Sequence, residues 1–121
     1  MNKMEVKLVV SFTINDYEKF QEVAEECSEY VADNEPGTLV YEWYVDRERA
    51  KGKLFETYEN MEALEAHMLG AVFQRIGLKF KKSITWNTIE SFGHLPEIFY
   101  EILDGLPIVN WAEPDIVARK K

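Results

Sequence analysis

Four segments with a two-residue apolar period and two with a helical period run along the chain in the order β-α-β-β-α-β. They predict an α+β fold in which both helices cover one face of a four-stranded antiparallel sheet, the split-βαβ or ferredoxin-like arrangement. Three observations carry the prediction: a period of two over residues 5–14, an amphipathic stripe over 17–31, and a charged turn at 47–52 between two apolar runs. At 121 residues there is room for one core. That domain is expected over 1–93, with 94–121 as a C-terminal extension.

In strand 1, EVKLVVSFTI, Val6, Leu8, Val10, Phe12 and Ile14 alternate with Lys7, Val9, Ser11 and Thr13. Asn15 stands where an N-cap is wanted, with Glu18 in the capping-box position. Tyr17, Phe20, Val23, Ala24, Cys27, Tyr30 and Val31 then recur at spacings of three and four, one face of a helix. Pro36-Gly37 opens strand 2, LVYEWYVD. Residues 47–52, RERAKG, turn the chain into strand 3, KLFETYE, as a hairpin. Asn60 caps a second helix, MEALEAHML. Gly70 interrupts it, and restarting the wheel at Ala71 puts Val72, Phe73, Ile76 and Phe80 on one face. TWNTIESF, 85–92, reads as strand 4, and EIFYEILDGL as a short helix ending near Gly105. The tail is expected to be irregular, with Trp111 its only large anchor.

Strand 2 is apolar on both faces, with Leu39, Tyr41, Trp43 and Val45 on one and Val40, Glu42 and Tyr44 on the other. Helices cover only one side of such a sheet, so the second face needs a partner. A second copy of the same sheet is the simplest cover, because two-fold pairing lets one patch satisfy itself. A homodimer is therefore expected, with 94–121 adding to the contact and Glu42 near it.

The net charge of -8 argues against a nucleic-acid partner, which draws on clustered Lys and Arg. Residues 16–35 hold eight acids and one Lys, whereas 75–82 hold Arg75, Lys79, Lys81 and Lys82. These read as two solvated helix faces of opposite sign. Cys27, the single cysteine, excludes an internal disulfide, and on the apolar stripe it reads as a buried, inert thiol. There is no signal-peptide run and no membrane-length apolar stretch, so a cytoplasmic protein is expected. The two histidines, His67 and His94, lack metal-ligand spacing, and no phosphate-binding glycine loop or nucleophile elbow is present.

Pro36, Gly37, Leu39, Tyr41, Glu42, Tyr44 and Asp46 form the pattern P-G-x-L-x-Y-E-x-Y-x-D. With Phe55-Glu56, Tyr58, the MEALEAHM helix and Val72-Phe73-Gln74, this resembles the antibiotic biosynthesis monooxygenase family of dimeric α/β barrels. The resemblance implies oxidation of an electron-rich aromatic, a quinol or polycyclic phenol, by O₂ without metal, flavin or other cofactor. Such chemistry asks for an apolar aromatic pocket between sheet and helices, a proton-handling group and exclusion of water. The haem-degrading branch of this fold is a poor match. Aligned on Phe73, Gly77 falls where that branch has its iron-ligating His, and strand 1 lacks its Asn.

His67 borders the stripe of Leu64, Met68 and Ala71 and so looks toward the sheet, where an imidazole can exchange protons near neutral pH. Glu56, between Phe55 and Thr57 in a covered strand, needs a partner, and His67 is the expected one. These two are the candidate catalytic residues. Tyr41, Trp43, Tyr58 and Trp86 are the candidate substrate-binding walls. The same residues also suit a non-catalytic dimeric barrel that binds a small apolar ligand or serves a stress or regulatory role. A cavity of roughly 300 Å³ or more beside His67 is what the enzyme reading expects, and a solidly filled interior there favours the non-catalytic one.

Overall fold

Alternation along the first strand is realised side chain by side chain: Val6, Leu8, Val10, Phe12 and Ile14 are all buried while Lys7 is exposed. The computed structural model describes residues 5–118. The elements are β1 (Val6–Ile14), α1 (Tyr17–Asn34), β2 (Thr38–Asp46), β3 (Lys51–Tyr58), α2 (Met61–Leu69), α3 (Ala71–Gln74), a 3₁₀ segment (Ile76–Ser83), β4 (Ile84–Phe92), α4 (Glu97–Ile102) and β5 (Ile108–Trp111). The sheet runs β2-β3-β1-β4-β5. Its first four strands are antiparallel, as the sequence predicts, and β5 adds a fifth, parallel to β4.

That fifth strand corrects the expectation of an irregular tail. Ile108, Val109, Asn110 and Trp111 register against Ile89, Glu90, Ser91 and Phe92. Trp111 is 54% exposed and anchors through its backbone, its carbonyl accepting from Gly93 N–H at 3.2 Å. The helix 1 cap is a second correction. Asp16 fills it, accepting from Lys19 N–H at 3.2 Å. Asn15 is committed elsewhere, its Nδ2 donating to Lys82 O at 3.1 Å and Thr85 Oγ1 at 3.0 Å.

α1 buries Phe20, Val23, Ala24, Cys27 and Val31 against the sheet. Burial pushes the Cys27 thiol up to about 12, in keeping with an inert side chain. Gly70 separates α2 from α3 as expected, and Val72, Ile76 and Phe80 continue the buried stripe. Of the basic cluster, Lys79 pairs with Glu26 on α1 at 3.0 Å, so the two charged surfaces meet within one chain. No described helix is long and apolar enough to cross a membrane.

The two sheet faces differ. Tyr41 and Trp43 pack on the helix-side core, but Leu39 lies at a register shift in β2 and is half exposed, and Val45 is 37% exposed. On the other face, cross-strand register lines up Glu42, Phe55, Val9, Glu90 and Val109 in one row and Lys7, Phe92 and Trp111 in the next. Tyr44, Phe55, Phe92, Val109 and Trp111 are all exposed there.

Candidate functional site

Between the sheet and the helices lies a cavity of about 230 Å³. Leu8, Val10, Leu54 and Ile89 of the sheet floor it, and Trp43, Phe80 and Trp86 wall one side. The three rings pack edge-on or tilted, with centroids 5.6 and 5.9 Å apart for Phe80–Trp86 and Trp43–Phe80. Trp43 satisfies its indole N–H on Ser28 Oγ at 2.9 Å, which fixes the ring plane. Two wider hollows, of about 410 and 380 Å³, are open surface grooves between α2 and α4 and along α1. The smaller cavity is the more enclosed, and it alone of the three contains His67 and Glu56.

A line of polar groups closes one end of it. His67, in the last turn of α2, is 2% exposed. Its Nδ1 stands 2.7 Å from Glu35 Oε1, and its Nε2 is 3.9 Å from Glu56 Oε1, too long for a hydrogen bond. Glu56 Oε1 accepts in turn from the Tyr58 hydroxyl, two residues along the same face of β3. Tyr41, Tyr58 and Phe73 surround the imidazole at centroid distances of 5.7, 5.3 and 5.6 Å.

Local structure brings these groups together. Glu35 is the C-cap of α1, its N–H bonded to Val31 O, and its Oε1 also accepts from Thr38 Oγ1 at 2.8 Å. Gly37 lets α2 close on this loop: a Cβ there would stand 2.7 Å from the Cβ of Ala63. Asn60 starts α2 by accepting from Ala63 N–H at 2.8 Å, which places His67 two turns later over the loop.

The two carboxylates respond oppositely to burial. For Glu35, desolvation pushes the pKa up, but the hydrogen bond and charge of His67 and the Thr38 hydroxyl together hold it below the usual value. For Glu56, desolvation wins over the opposing influence of His67 and Tyr58, and its pKa is raised. Burial also lifts the Tyr41 and Tyr58 phenols well above their ordinary value, so both keep their protons, and Tyr58 donates its own to Glu56. An ionised Glu35 can only accept, so Nδ1 carries a hydrogen and Nε2 is the nitrogen free to gain or lose one. Among the described residues no three His, Cys, Asp or Glu side chains are grouped as a metal site needs. Glu35 and Glu56 approach opposite edges of one ring and do not converge.

The model of the antibiotic biosynthesis monooxygenase family matches residues 7–77, more than half of the chain. This protein belongs to that family. Among solved structures, MupZ from Pseudomonas fluorescens superposes with a TM-score of 0.77 at 17% identity, over 98% of this chain and 96% of its own. SnoaB from Streptomyces nogalater, described as a cofactor-independent oxygenase, gives 0.64 at 16% identity, over 78% and 96%. A Caulobacter crescentus protein named for the same family gives 0.65 at 24%, over 74% and 88%. At these identities the likeness is one of fold. No curated protein matches the sequence.

Within this family member, five of the six residues singled out from the sequence line the cavity: Tyr41, Trp43, Glu56, His67 and Trp86. Tyr58 does not. It lies behind Glu56, fully buried, and works as that carboxyl's donor rather than as a wall. Glu42 faces away from the cavity and accepts from Tyr44 Oη at 3.1 Å. The direct partner of His67 is Glu35, not the expected Glu56. Sequence reasoning missed Glu35, although a signal exists: an acid at a helix C-terminus opposes the helix dipole and calls for a compensating partner. Phe73, Phe80, Phe99, Leu103 and Leu106 complete the lining. The volume is also smaller than the one expected.

Proposed function

We propose that this protein is a monooxygenase acting on a compact phenolic aromatic of one or two rings, with O₂ as oxidant. The observation that carries the reading is an apolar, aromatic-walled cavity with His67 and Glu56 gathered at one end. At about 230 Å³ it falls below the roughly 300 Å³ lower end of ordinary small-molecule sites, which favours a small planar substrate.

In this reading the substrate hydroxyl lies at the His67 end and its ring rests among Trp43, Phe80 and Trp86. His67 Nε2 takes the phenolic proton while Glu35 holds the ring in the tautomer that leaves Nε2 open. The phenolate gives one electron to O₂, and the radical pair joins as a C–O bond at the ring carbon opposite the oxygen. The imidazolium returns its proton to the peroxide. Loss of the proton on that carbon then breaks the O–O bond, releasing water and a quinone. One O₂ places one oxygen in product and one in water, and the phenol supplies all four electrons. Excluding bulk water protects the radical pair and the peroxide from side reactions.

The test is oxygen uptake with a panel of phenols and 1-naphthols that carry hydrogen on the ring carbon opposite the hydroxyl. The expected result is one O₂ consumed per substrate, and a loss of about 10² or more in rate for His67→Ala. Uptake at the buffer rate across the panel overturns the reading; full activity in His67→Ala overturns the assignment of the base. We further infer that a second copy of the chain covers the open sheet face. Exposed Tyr44, Phe55, Phe92, Val109 and Trp111 alternate there with Lys7, Lys53, Glu42 and Glu90, a patch able to pair with itself. A light-scattering mass near the 14.2 kDa of one chain at micromolar concentration overturns this.

A further inference from the structure

We propose that the segment between β4 and β5 sets the size of molecule the cavity admits, with Phe99 as the limiting wall. The inference rests on the cavity of the function proposed above but not on its oxidation step.

Phe99, Leu103 and Leu106 line the cavity, yet all three lie beyond residue 77, where the family match ends. The two shorter structures named above leave a good part of this chain uncovered while spanning most of their own length. The family match therefore accounts for most of the floor and for His67; Phe80, Trp86 and Ile89 follow it in the 3₁₀ segment and β4, and the C-terminal extension adds Phe99, Leu103 and Leu106 to the wall.

Both ends of that segment are fixed to the same strand. It leaves β4 at Gly93, whose φ of +115° is open to glycine and strained for other residues. It returns at Pro107, whose carbonyl accepts from Ile89 N–H at 2.9 Å. β5 then holds it down, and Asn110 Nδ2 donates to Ser91 Oγ at 2.8 Å and to Gly93 O at 3.0 Å. Between these anchors the chain spans the cavity as α4, a helix of six residues without a side-chain N-cap bond. Phe99 points inward and is fully buried, while its neighbour Tyr100 points out and is 48% exposed. Anchors on β4 and a single inward aromatic make the wall replaceable without dismantling the sheet. The phenyl group of Phe99 is itself one aromatic ring, so its removal opens space for about one more fused ring.

The experiment is anaerobic titration of tryptophan fluorescence with phenol, naphthol and hydroxyanthracene, reported by Trp43 and Trp86 in the walls. Wild type is expected to bind naphthol and to bind hydroxyanthracene about tenfold or more weakly. Phe99→Ala is expected to reverse that order, while Tyr100→Ala, on the outer side of the same helix, leaves it unchanged. Thermal melting checks that each variant is folded, and Leu103→Ala replaces Phe99→Ala if the latter is not. An unchanged order in the folded inward variant, or an equal change in Tyr100→Ala, overturns the proposal. If wild type binds none of the three aromatics, the substrate reading fails by itself. The size limit is then read from hexanol, octanol, decanol and dodecanol, where Phe99→Ala must admit a longer chain than wild type; an unmoved limit overturns it.

Discussion

Glu35 and Glu56 flank the same imidazole, and the same side chain behaves in opposite ways at its two edges. At the α1–β2 end, Glu35 accepts at 2.7 Å from His67 and at 2.8 Å from Thr38, and these bonds outweigh its burial and favour the ionised form. At the β3 end, Glu56 stands 3.9 Å from the ring with the Tyr58 hydroxyl on it, and burial dominates, favouring the proton-bearing form. The difference teaches that the charge of a covered carboxyl follows from how many donors reach it, not from depth alone. It also gives the ring a direction: a fixed donor side at Nδ1 and an adjustable side at Nε2 facing the cavity.

The strongest way to break this contrast is Glu35→Ala, which leaves the Nδ1–H of His67 buried without an acceptor. Urea unfolding should show a loss of about 1–3 kcal/mol. Glu35→Gln, whose amide oxygen can still accept, should restore part of it. Because the folded pKa of Glu35 is lowered, its charge contributes stability above the ordinary carboxylate value, about 4.3, and that share is lost as pH falls through the folded value. The stability gap between wild type and Glu35→Gln should accordingly close on acidification. A gap that widens in acid means Glu35 is not the ionised partner.

Tyr58→Phe comes next, removing the donor that Glu56 holds. A loss near 1 kcal/mol in the same measurement is expected, and a Glu56 carboxyl still harder to ionise. An unchanged unfolding curve means that the hydroxyl contributes nothing. The smallest effect belongs to Glu56→Gln, which keeps the shape and an acceptor oxygen for Tyr58. The folded pKa of Glu56 is raised, so wild-type stability is complete below the ordinary carboxylate value and declines as pH rises toward the folded one. The Gln variant escapes that decline and should be ahead by up to about 1 kcal/mol at neutral pH, the difference vanishing in acid. Opposite pH trends for the two Gln variants sharpen the comparison. Parallel trends break it.

Tyr41, Trp43, Glu56, His67 and Trp86 of the cavity lining are legible in the sequence because they announce themselves locally. Tyr41 and Trp43 alternate on a strand, His67 sits beside an apolar stripe, and Gly70 marks where that stripe needs a new phase. Tyr58 was misplaced because period-two alternation puts it on the same face as Glu56 without saying which of the two reaches the empty space. Asn15 reads as the cap of α1 where Asp16 fills it, for a related reason. Either can cap a helix, and the choice is made by Lys82 and Thr85, which occupy the Asn15 side chain from distant positions in sequence. Ile108–Trp111 is too short and too mixed to read as a strand by itself, and its parallel partner is β4.

Period and punctuation in the chain determined by themselves the four antiparallel strands and the helices between them, and that His67 points inward, since each depends on neighbours within a few residues. Tertiary structure alone decided that Glu35 is the acceptor for His67, that Glu56 bears its proton more firmly than a free carboxyl, and that the C-terminal segment closes the cavity with Phe99. Those outcomes depend on distances between groups far apart in sequence and on how much water is left around them. Neither quantity exists until the chain has closed on itself.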